Sequence, residues 1–292
     1  MIAFAGNSLL CRLSLTQTGI DAASFTFIRI FSGAVALWLI ATIRRARSVA
    51  AIYDRRNLEG DWPSALALFI YAAAFSFAYV SISAGTGALL LFGAVQATMI
   101  FLGLRRGERL HLRQVAGLAV ALGGLVMLLS PGLSAPPLSG SILMLSAGVA
   151  WGIYSLRGKA AGDAIAATTG NFLRAVPFAA VLSIALVRWV HIDLAGLGYA
   201  VLSGSIASGL GYVIWYAVLS DSMPVRLRSA SAATVQLSVP VLAATGGIVL
   251  LGEPITFRYV IASIAVLGGI ALVVIEKNHS GKANDTISSA AR

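Results

Sequence analysis

Charged residues are scarce in this chain. Only 11% of its 292 residues are Asp, Glu, Lys or Arg, and 58% are hydrophobic, whereas a soluble domain carries about 25% charged residues. Ten spans of about 20 residues would use about 200 residues and leave only short loops. The composition therefore excludes a large soluble domain. It predicts an all-α integral membrane protein, because backbone polar groups in lipid must be bonded within their own segment.

Residues for metal binding and catalysis are also few. Cys11 is the single cysteine, so an intrachain disulfide is impossible. The three histidines, His111, His191 and His279, fall in predicted loops or in the tail and form no ligand cluster. No paired carboxylates, phosphate loop or activated nucleophile is visible. We expect no metal site, no cofactor and no enzymatic activity.

Acidic residues are missing from the predicted membrane interior. All eleven Asp and Glu fall in loops or at span ends. An ion-coupled exporter commonly keeps a carboxylate within the membrane, because some group must bind the proton. We therefore hypothesise facilitated transport without a carboxylate proton relay. A coupling site made of backbone carbonyls remains an alternative.

Ten apolar spans are predicted, at 1–17, 22–43, 63–83, 86–104, 114–130, 140–157, 167–188, 196–219, 229–250 and 258–275. The first lacks a basic leader and a cleavage site, so we interpret it as a span and not as a signal peptide. With the N-terminus in the cytoplasm, the inside segments hold sixteen of the 21 Lys and Arg, and the outside loops hold only Arg188 and Arg258. This asymmetry predicts that both termini lie on the cytoplasmic side of the membrane. The formal charge of +10 then orients the protein and does not indicate nucleic-acid binding.

The sequence repeats itself at a shift of 145 residues. The recurring motifs are Gly107-Glu108 with Gly252-Glu253, Leu122-Gly123-Gly124 with Leu267-Gly268-Gly269, and Phe27-Ile28-Arg29 with Phe172-Leu173-Arg174. The ten spans then form two halves of five, residues 1–135 and 136–276, before a cytoplasmic tail at 277–292. Because five is odd, the halves are predicted to be inverted, as in many secondary transporters. Gly148, Gly152 and the two Gly-Gly pairs predict tight helix crossings.

Aromatic residues form three helical stripes. They are Tyr71, Phe75 and Tyr79 on span three, Tyr212, Trp215 and Tyr216 on span eight, and Trp151 and Tyr154 on span six. Phe75 and Trp151 fall near mid-depth, which does not suit an interfacial belt. The stripes predict a cavity lining that binds planar apolar solutes by stacking, worth about 0.5–1.5 kcal/mol per pair. Plain helix packing is the alternative.

A few polar residues fall deep within the spans. The amides of Asn7, Gln96 and Gln236 either bond a neighbouring helix or face a wet cavity, where they would suit a zwitterion. Arg29 and Arg174 are predicted at mirrored depths, about 10 Å from their interfaces. We favour a structural role for both arginines, by snorkelling or carbonyl binding, because duplication retains both. The alternative is a ligand for a substrate carboxylate.

Four residues are candidate hinges. Pro177 and Pro240 would kink spans seven and nine and free backbone carbonyls, and Gly209 and Gly211 would loosen span eight. These positions predict a rocking, alternating-access motion. A static bend is the alternative.

The duplicated motifs resemble the EamA-type drug/metabolite transporter superfamily. The resemblance is carried by Gly107-Glu108, Gly252-Glu253-Pro254, the Gly-Gly pairs and the in-span Arg29 and Arg174. It implies a ten-helix basket with a central cavity lined by both halves, and export from the cytoplasm. The opening residues 5–10, Ala-Gly-Asn-Ser-Leu-Leu, are similar to bacterial aromatic amino acid exporters of the YddG type. Span four lacks the proline often found there, and span nine keeps one at Pro240.

An uncharged, aromatic-lined cavity predicts transport of small, largely apolar amphipathic metabolites. The resemblance implies that the protein exports aromatic and other neutral amino acids across the bacterial inner membrane. Its expected partners are a small-molecule substrate and the lipid bilayer, without nucleic acid, and it is expected to be a monomer or homodimer. One alternative is a multidrug exporter of aromatic cations, which would be expected to use an acidic residue. The other is a non-transporting membrane scaffold, whose spans would need neither buried amides nor mid-depth aromatics.

Overall fold

A computed structural model describes residues 1–46, 59–105, 107, 111–132, 134–158, 163–219 and 236–290, and these residues form helices and connections without strands. The α-helices are α1 Ile2–Gln17, α2 Ala22–Ala46, α3 Trp62–Tyr79, α4 Ala84–Arg105, α5 Leu112–Leu129, α6 Leu138–Gly158, α7 Ala164–Ala185, α8 Leu194–Leu202, α9 Gly211–Leu219, α10 Ser238–Leu251 and α11 Phe257–Ala290. A π-helical segment, Ser203–Leu210, joins α8 to α9. The predicted all-α class is confirmed in the part of the chain described.

Seven of the described helical stretches are long and apolar enough to cross a membrane, among them α2 to α7 and the continuous stretch Leu194–Trp215. Ser238–Leu251 and Phe257–Val273 are shorter apolar helices, and α1 adds 16 residues. Each of the ten predicted spans overlaps a described helix. Large apolar side chains lie exposed on the outer faces, for example Ile184 at 70% and Val249 at 74%. Such surfaces are rare in soluble monomers, so the chain is a multi-pass membrane protein.

Aspartates fix the starts of three helices. Asp61 accepts a hydrogen bond from the backbone N–H of Ser64 at the start of α3, and Asp163 accepts from Ile165 and Ala166 at the start of α7. Asp21 does the same at the start of α2. These carboxylates satisfy N–H groups that the first helical turn leaves unbonded. This capping role explains why these three acidic residues lie at the ends of the spans.

Glycines allow close helix crossings. Gly124 of α5 faces Ala262 and Ala265 of α11, and Gly117 and Gly269 face each other's carbonyl oxygens across the same contact. On α6, a Cβ at Gly148 would lie 2.5 Å from the Leu91 oxygen of α4, and one at Gly152 would lie 3.0 Å from Thr98. The predicted tight crossings are confirmed at Gly148, Gly152, Gly124 and Gly269, while Gly123 and Gly268 face no atom within 4 Å.

Three details differ from the sequence prediction. Span eight is interrupted by the π-helical segment, which contains Gly209 and ends beside Gly211. Pro240 was predicted to kink span nine in its middle; in the structure Leu237 is a turn residue between the helical Gln236 and α10, which begins at Ser238 and holds Pro240 in its first turn. A proline is tolerated there because the N–H that it lacks would have no intrahelical partner. Finally, helix α11 continues past residue 276, the predicted end of the second half, through most of the predicted tail to Ala290.

Candidate functional site

Six aromatic rings meet in the interior of the bundle and are here named the aromatic cluster: Phe4, Tyr71, Phe75, Trp151, Tyr212 and Trp215. Trp151 of α6 is central, with ring centroids 4.9 Å from Tyr71 of α3 and 4.7 Å from Tyr212 of α9. Phe4 of α1 lies 5.8 Å from both Trp151 and Trp215. None of the six is more than 7% exposed. The cluster thus brings helices from both halves of the sequence into contact around the indole ring of Trp151.

The predicted aromatic residues are brought together in this region. Tyr79 packs edge-on against Phe75 at 4.7 Å, and Tyr154 lies 5.6 Å from Trp151. The Tyr216 side chain lies outside the described part of the structure. The rings contact one another and are buried in this conformation. Phe4 was missed, although it lies three residues before Asn7, on the same face of the first helix.

The predicted amides occupy two kinds of environment. Asn7 is bonded through both ends of its amide: its Nδ2 donates to the Tyr71 hydroxyl at 3.2 Å, and its Oδ1 accepts from Ser203 of the π-helical segment at 2.7 Å. Gln96 and Gln236 are also buried, and each has an Nε2 without a hydrogen-bond partner among the described residues. Asn7 therefore holds Tyr71 in position, while the two glutamines keep an unused donor.

Arg29 reaches the edge of the aromatic cluster. Its Nε donates to Ser208 at 3.1 Å, and its Nη2 donates to the hydroxyls of Tyr71 at 3.1 Å and Tyr212 at 3.4 Å. The guanidinium carbon lies 4.9 Å from the Phe75 ring centroid. The side chain is 2% exposed, and its Nη1 has no partner in the described residues. A carbonyl-bound or snorkelling role does not fit these contacts.

Arg174, the residue equivalent to Arg29 in the second half, behaves differently. Its Nη1 donates to the backbone oxygens of Gly170 at 3.0 Å and Glu59 at 3.3 Å. These contacts match the structural role that the sequence favoured for both arginines. The two equivalent positions have therefore diverged in their surroundings, although both lie seven or more residues into a helix.

The bundle is closed at the end where α3 joins α4. Arg12 of α1 forms an ion pair of 3.0 Å with Glu253, and it also donates to the Tyr79 carbonyl at 2.7 Å. Glu253 accepts from the backbone N–H of Ala84 at 2.9 Å. A cavity of about 180 Å³ lies beside this ion pair. Its lining includes Ser83, Gly85, Pro136, Ala244, Glu253 and Tyr259. Residues from the two halves of the sequence thus meet at this end.

The opposite end carries its own ion pairs. Arg157 at the end of α6 lies 2.8 Å from Asp61, and Arg44 of α2 lies 3.1 Å from Asp163. Partial burial alone would raise the pKa of Asp61. The hydrogen bonds from Ser64 and the charge of Arg157 outweigh this and lower that pKa below its usual value. Both ends of the bundle are therefore bridged by charged contacts in this conformation.

Comparisons with known proteins agree with this architecture. The model of the EamA-like transporter family matches residues 138–275. An uncharacterized protein of Pseudomonas aeruginosa is 55% identical over 274 residues, covering 94% of this chain and 91% of the relative. A probable amino-acid metabolite efflux pump of Salmonella typhimurium is 26% identical over 232 residues, covering 68% of this chain and 72% of the relative. A solved crystal structure with 20% identity superposes with a TM-score of 0.62, covering 94% of this chain and 96% of its own.

The described helices and their buried aromatic and polar interior define a helical membrane transporter. The chain belongs to the EamA-like transporter family.

Proposed function

We propose that the protein exports aromatic and other neutral amino acids, or similar small amphipathic metabolites, across the bacterial inner membrane. Export proceeds by alternating access, with both termini in the cytoplasm and without a carboxylate proton relay. The observation that carries this proposal is the position of Trp151, whose ring contacts Tyr71 and Tyr212 at once. Planar side chains stack on such surfaces.

Two inverted five-helix halves are part of the proposal. Helix contacts support them, because most of the principal contacts have a counterpart when the halves are exchanged. The contact of α4 with α6 corresponds to that of α10 with α1, and the contact of α3 with α7 corresponds to that of the π-helical segment with α2. The contacts α2–α7, α4–α10 and α5–α11 each join equivalent helices. In this arrangement α1, α10 and α11 supply the spans beyond the seven long ones.

The conformation fits an occluded intermediate of a transport cycle. The rings fill the centre, and ion pairs close both ends, so a solute can enter only if one end opens and the rings separate. The π-helical segment supports this motion, since such segments are weak points of a helix and occur at functional sites. Pro177 within α7 removes a backbone donor from the helix that packs on α2. Pro240 lies in the first turn of α10, just after the turn at Leu237. We therefore keep Pro177, Gly209, Gly211 and Pro240 as the proposed hinges.

The test is counterflow of radiolabelled phenylalanine into liposomes that contain the purified protein. Trp151→Ala is expected to slow transport by about tenfold or more, because it removes the ring that both tyrosines contact. Gln96→Ala is expected to slow it less, through the loss of one polar contact. Trp189→Ala is the matched control, since this tryptophan is 63% exposed on a connecting turn, and it should leave transport unchanged.

The outcomes separate the proposed function from its alternatives. Transport that survives both Trp151→Ala and Gln96→Ala would remove the site assignment. Transport of an aromatic cation such as ethidium, without any amino acid, would favour a multidrug exporter. A chain that moves no solute at all would favour a scaffold. Substrate-driven proton movement, followed with a pH-sensitive dye inside the liposomes, would contradict transport without ion coupling.

A further inference from the structure

We propose that Arg29 binds the carboxylate of the transported solute and thereby selects solutes that carry one. This inference rests on the proposed function, and it names a substrate class and a ligand that the aromatic cluster alone does not define. The argument begins with the nitrogen atoms of the guanidinium group. Nε and Nη2 are hydrogen-bonded to hydroxyl groups, whereas Nη1 is buried without a partner among the described residues.

The energetics of this side chain argue against a purely structural role. A buried charge is costly unless it is paired and fully hydrogen-bonded. The ion pairs of the described residues involve Arg12, Arg44 and Arg157. The hydrogen bonds described for Arg29 go to hydroxyl groups, and its guanidinium lies over two ring faces. These neutral partners compensate the charge in part. A site with an unpaired positive charge and an unused hydrogen-bond donor is therefore suited to the reversible binding of an anion.

Arg174 supplies an internal comparison. It occupies the equivalent position in the second half, and backbone carbonyls satisfy the nitrogen that is free in Arg29. If the fold required only a positive charge at this depth, one set of contacts would serve both halves. Instead one arginine is bonded to backbone, and the other points its donors at the cluster. A solute with a single carboxylate needs only one such site.

The geometry of a guanidinium matches a carboxylate. Its planar fork donates two parallel N–H bonds to the two carboxylate oxygens. Nη1 can donate to a carboxylate without first breaking a hydrogen bond to a described residue. The bond from Nη2 to Tyr212, at 3.4 Å, is the longest of the hydrogen bonds described for Arg29. The rings of Tyr71 and Phe75 lie next to the guanidinium, so an apolar side chain can pack there while the carboxylate is bound. The same charge disfavours aromatic amines that lack a carboxylate.

The test uses four probes that differ only in their end groups. Phenylalanine and 3-phenylpropionate carry a carboxylate, whereas phenylalaninamide and phenethylamine do not. Each is measured as a competitor of phenylalanine counterflow and, in detergent, for its effect on the thermal unfolding temperature of the protein. For the wild-type protein we expect the two carboxylates to compete and to stabilise. The two probes without a carboxylate should need concentrations about tenfold higher or more.

Variants then assign the effect to the arginine. Arg29→Gln should weaken both carboxylates by about tenfold or more and leave the other two probes unchanged. Arg29→Lys should keep part of the preference, because it keeps the charge but loses the planar fork. Arg188→Gln is the control, since Arg188 lies exposed on a connecting turn, and it should keep the full preference. Elution and helical content establish that each variant is folded.

The possible outcomes distinguish the carboxylate assignment from the proposed export. If phenylalanine is transported but phenylalaninamide competes equally well in the wild type, the carboxylate assignment is overturned and the proposed export stands. The same holds if Arg29→Gln keeps the preference for carboxylates. If no amino acid is transported but carboxylates still stabilise the wild type and not Arg29→Gln, the export proposal falls and this inference stands. If no probe competes or stabilises in the wild type, both are overturned. The wild-type series remains decisive if Arg29→Gln does not fold.

Discussion

Arg12 and Glu253, which are 241 residues apart in the sequence, form an ion pair of 3.0 Å between α1 and the connection after α10. The pair also binds the end of α3 through the Tyr79 carbonyl and the start of α4 through the Ala84 amide. Arg157, the residue 145 positions after Arg12, pairs with Asp61 at the other end of the bundle. The repeat thus places one arginine-carboxylate contact at each end.

Glu253→Gln is predicted to loosen the end of the bundle proposed to face outward. The amide keeps the size of the side chain but loses the charge, and charge-assisted hydrogen bonds contribute about 1.5–3 kcal/mol each. The measurement is the labelling rate of a cysteine introduced by Ser83→Cys, beside the cavity at this end, with a membrane-impermeant maleimide. We expect this rate to rise several-fold, while the fully buried Cys11 stays unlabelled.

Asp61→Asn is the matched control at the opposite end. It removes the charge that pairs with Arg157, whose side chain is 44% exposed, so the effect on stability should be within about 1 kcal/mol. Labelling at Ser83→Cys should not change. An equal increase in both variants would mean that Glu253 has no particular role in closing its end.

Alanine substitution at Gly268 and at Gly269, which are adjacent in α11, should have different effects on the thermal unfolding temperature. At Gly269 a Cβ would lie 2.7 Å from the Ala121 nitrogen, whereas at Gly268 it would meet no atom within 4 Å. Alanine raises helix propensity equally at both sites, by up to about 1 kcal/mol. Gly269→Ala should therefore lower the thermal unfolding temperature through overpacking, worth about 1–3 kcal/mol. Gly268→Ala should keep or raise this temperature, and equal effects would remove the α5–α11 crossing as the reason for Gly269.

Stability should fall in acid through Asp21. Its partial burial alone would raise the pKa, but hydrogen bonds from Ser24, His191 and Ala23 outweigh this and lower the pKa in the folded state. A lowered carboxyl pKa stabilises the fold above the unfolded value of about 3.9, and the contribution is lost as pH falls through the folded pKa. Asp21→Ala should cost about 0.5–2 kcal/mol near pH 7 through loss of the cap.

The pH dependence separates this effect from a general loss of stability. Thermal unfolding temperatures of the wild type and Asp21→Ala should converge as the pH falls below the unfolded value and through the lowered folded pKa, because the wild-type carboxylate is then protonated. Asp193→Ala is the control, because Asp193 precedes α8 without forming a side-chain cap bond. A constant difference between wild type and Asp21→Ala across this range would contradict the assignment.

Gly204→Ala is predicted to impair transport through the π-helical segment. A Cβ at this residue would collide with the Arg29 backbone oxygen and the Ser32 hydroxyl, so α2 and the segment would have to separate. Ser203 and Ser208, which bond Asn7 and Arg29, would shift with it. We expect a reduction of phenylalanine counterflow by about tenfold or more. Gly198→Ala, which has no atom within 4 Å of the new Cβ, should transport normally.

Much of the membrane architecture could be predicted from local sequence. Each predicted span overlaps a helix, because a stretch of apolar residues in lipid has few other ways to satisfy its backbone. The prediction did not include the π-helical segment in span eight or the turn at Leu237 that precedes Pro240. Those details depend on contacts between neighbouring helices, for example that of Gly204 with Arg29. The hydropathy of a segment does not report such contacts.

The predicted aromatic and amide residues were largely gathered in one region, but their roles differ. Asn7 was predicted either to bond a helix or to face a cavity, and it bonds Tyr71 and Ser203. Phe4 and Arg29 were not among the predicted site residues. Phe4 lay on the Asn7 face and could have been found by helical spacing. Arg29 could not be separated from Arg174, since both follow the same short motif in the two halves.

The sequence by itself determined the helical, membrane-spanning class of the described chain and the small number of charges within its predicted spans, because hydropathy and charge act residue by residue along the chain. Only the tertiary structure decided that Arg29 meets hydroxyls and rings while Arg174 meets carbonyls. The physical reason is that a buried guanidinium takes its partners from other helices. Those partners, Tyr71, Ser208 and Tyr212, lie 42, 179 and 183 residues away.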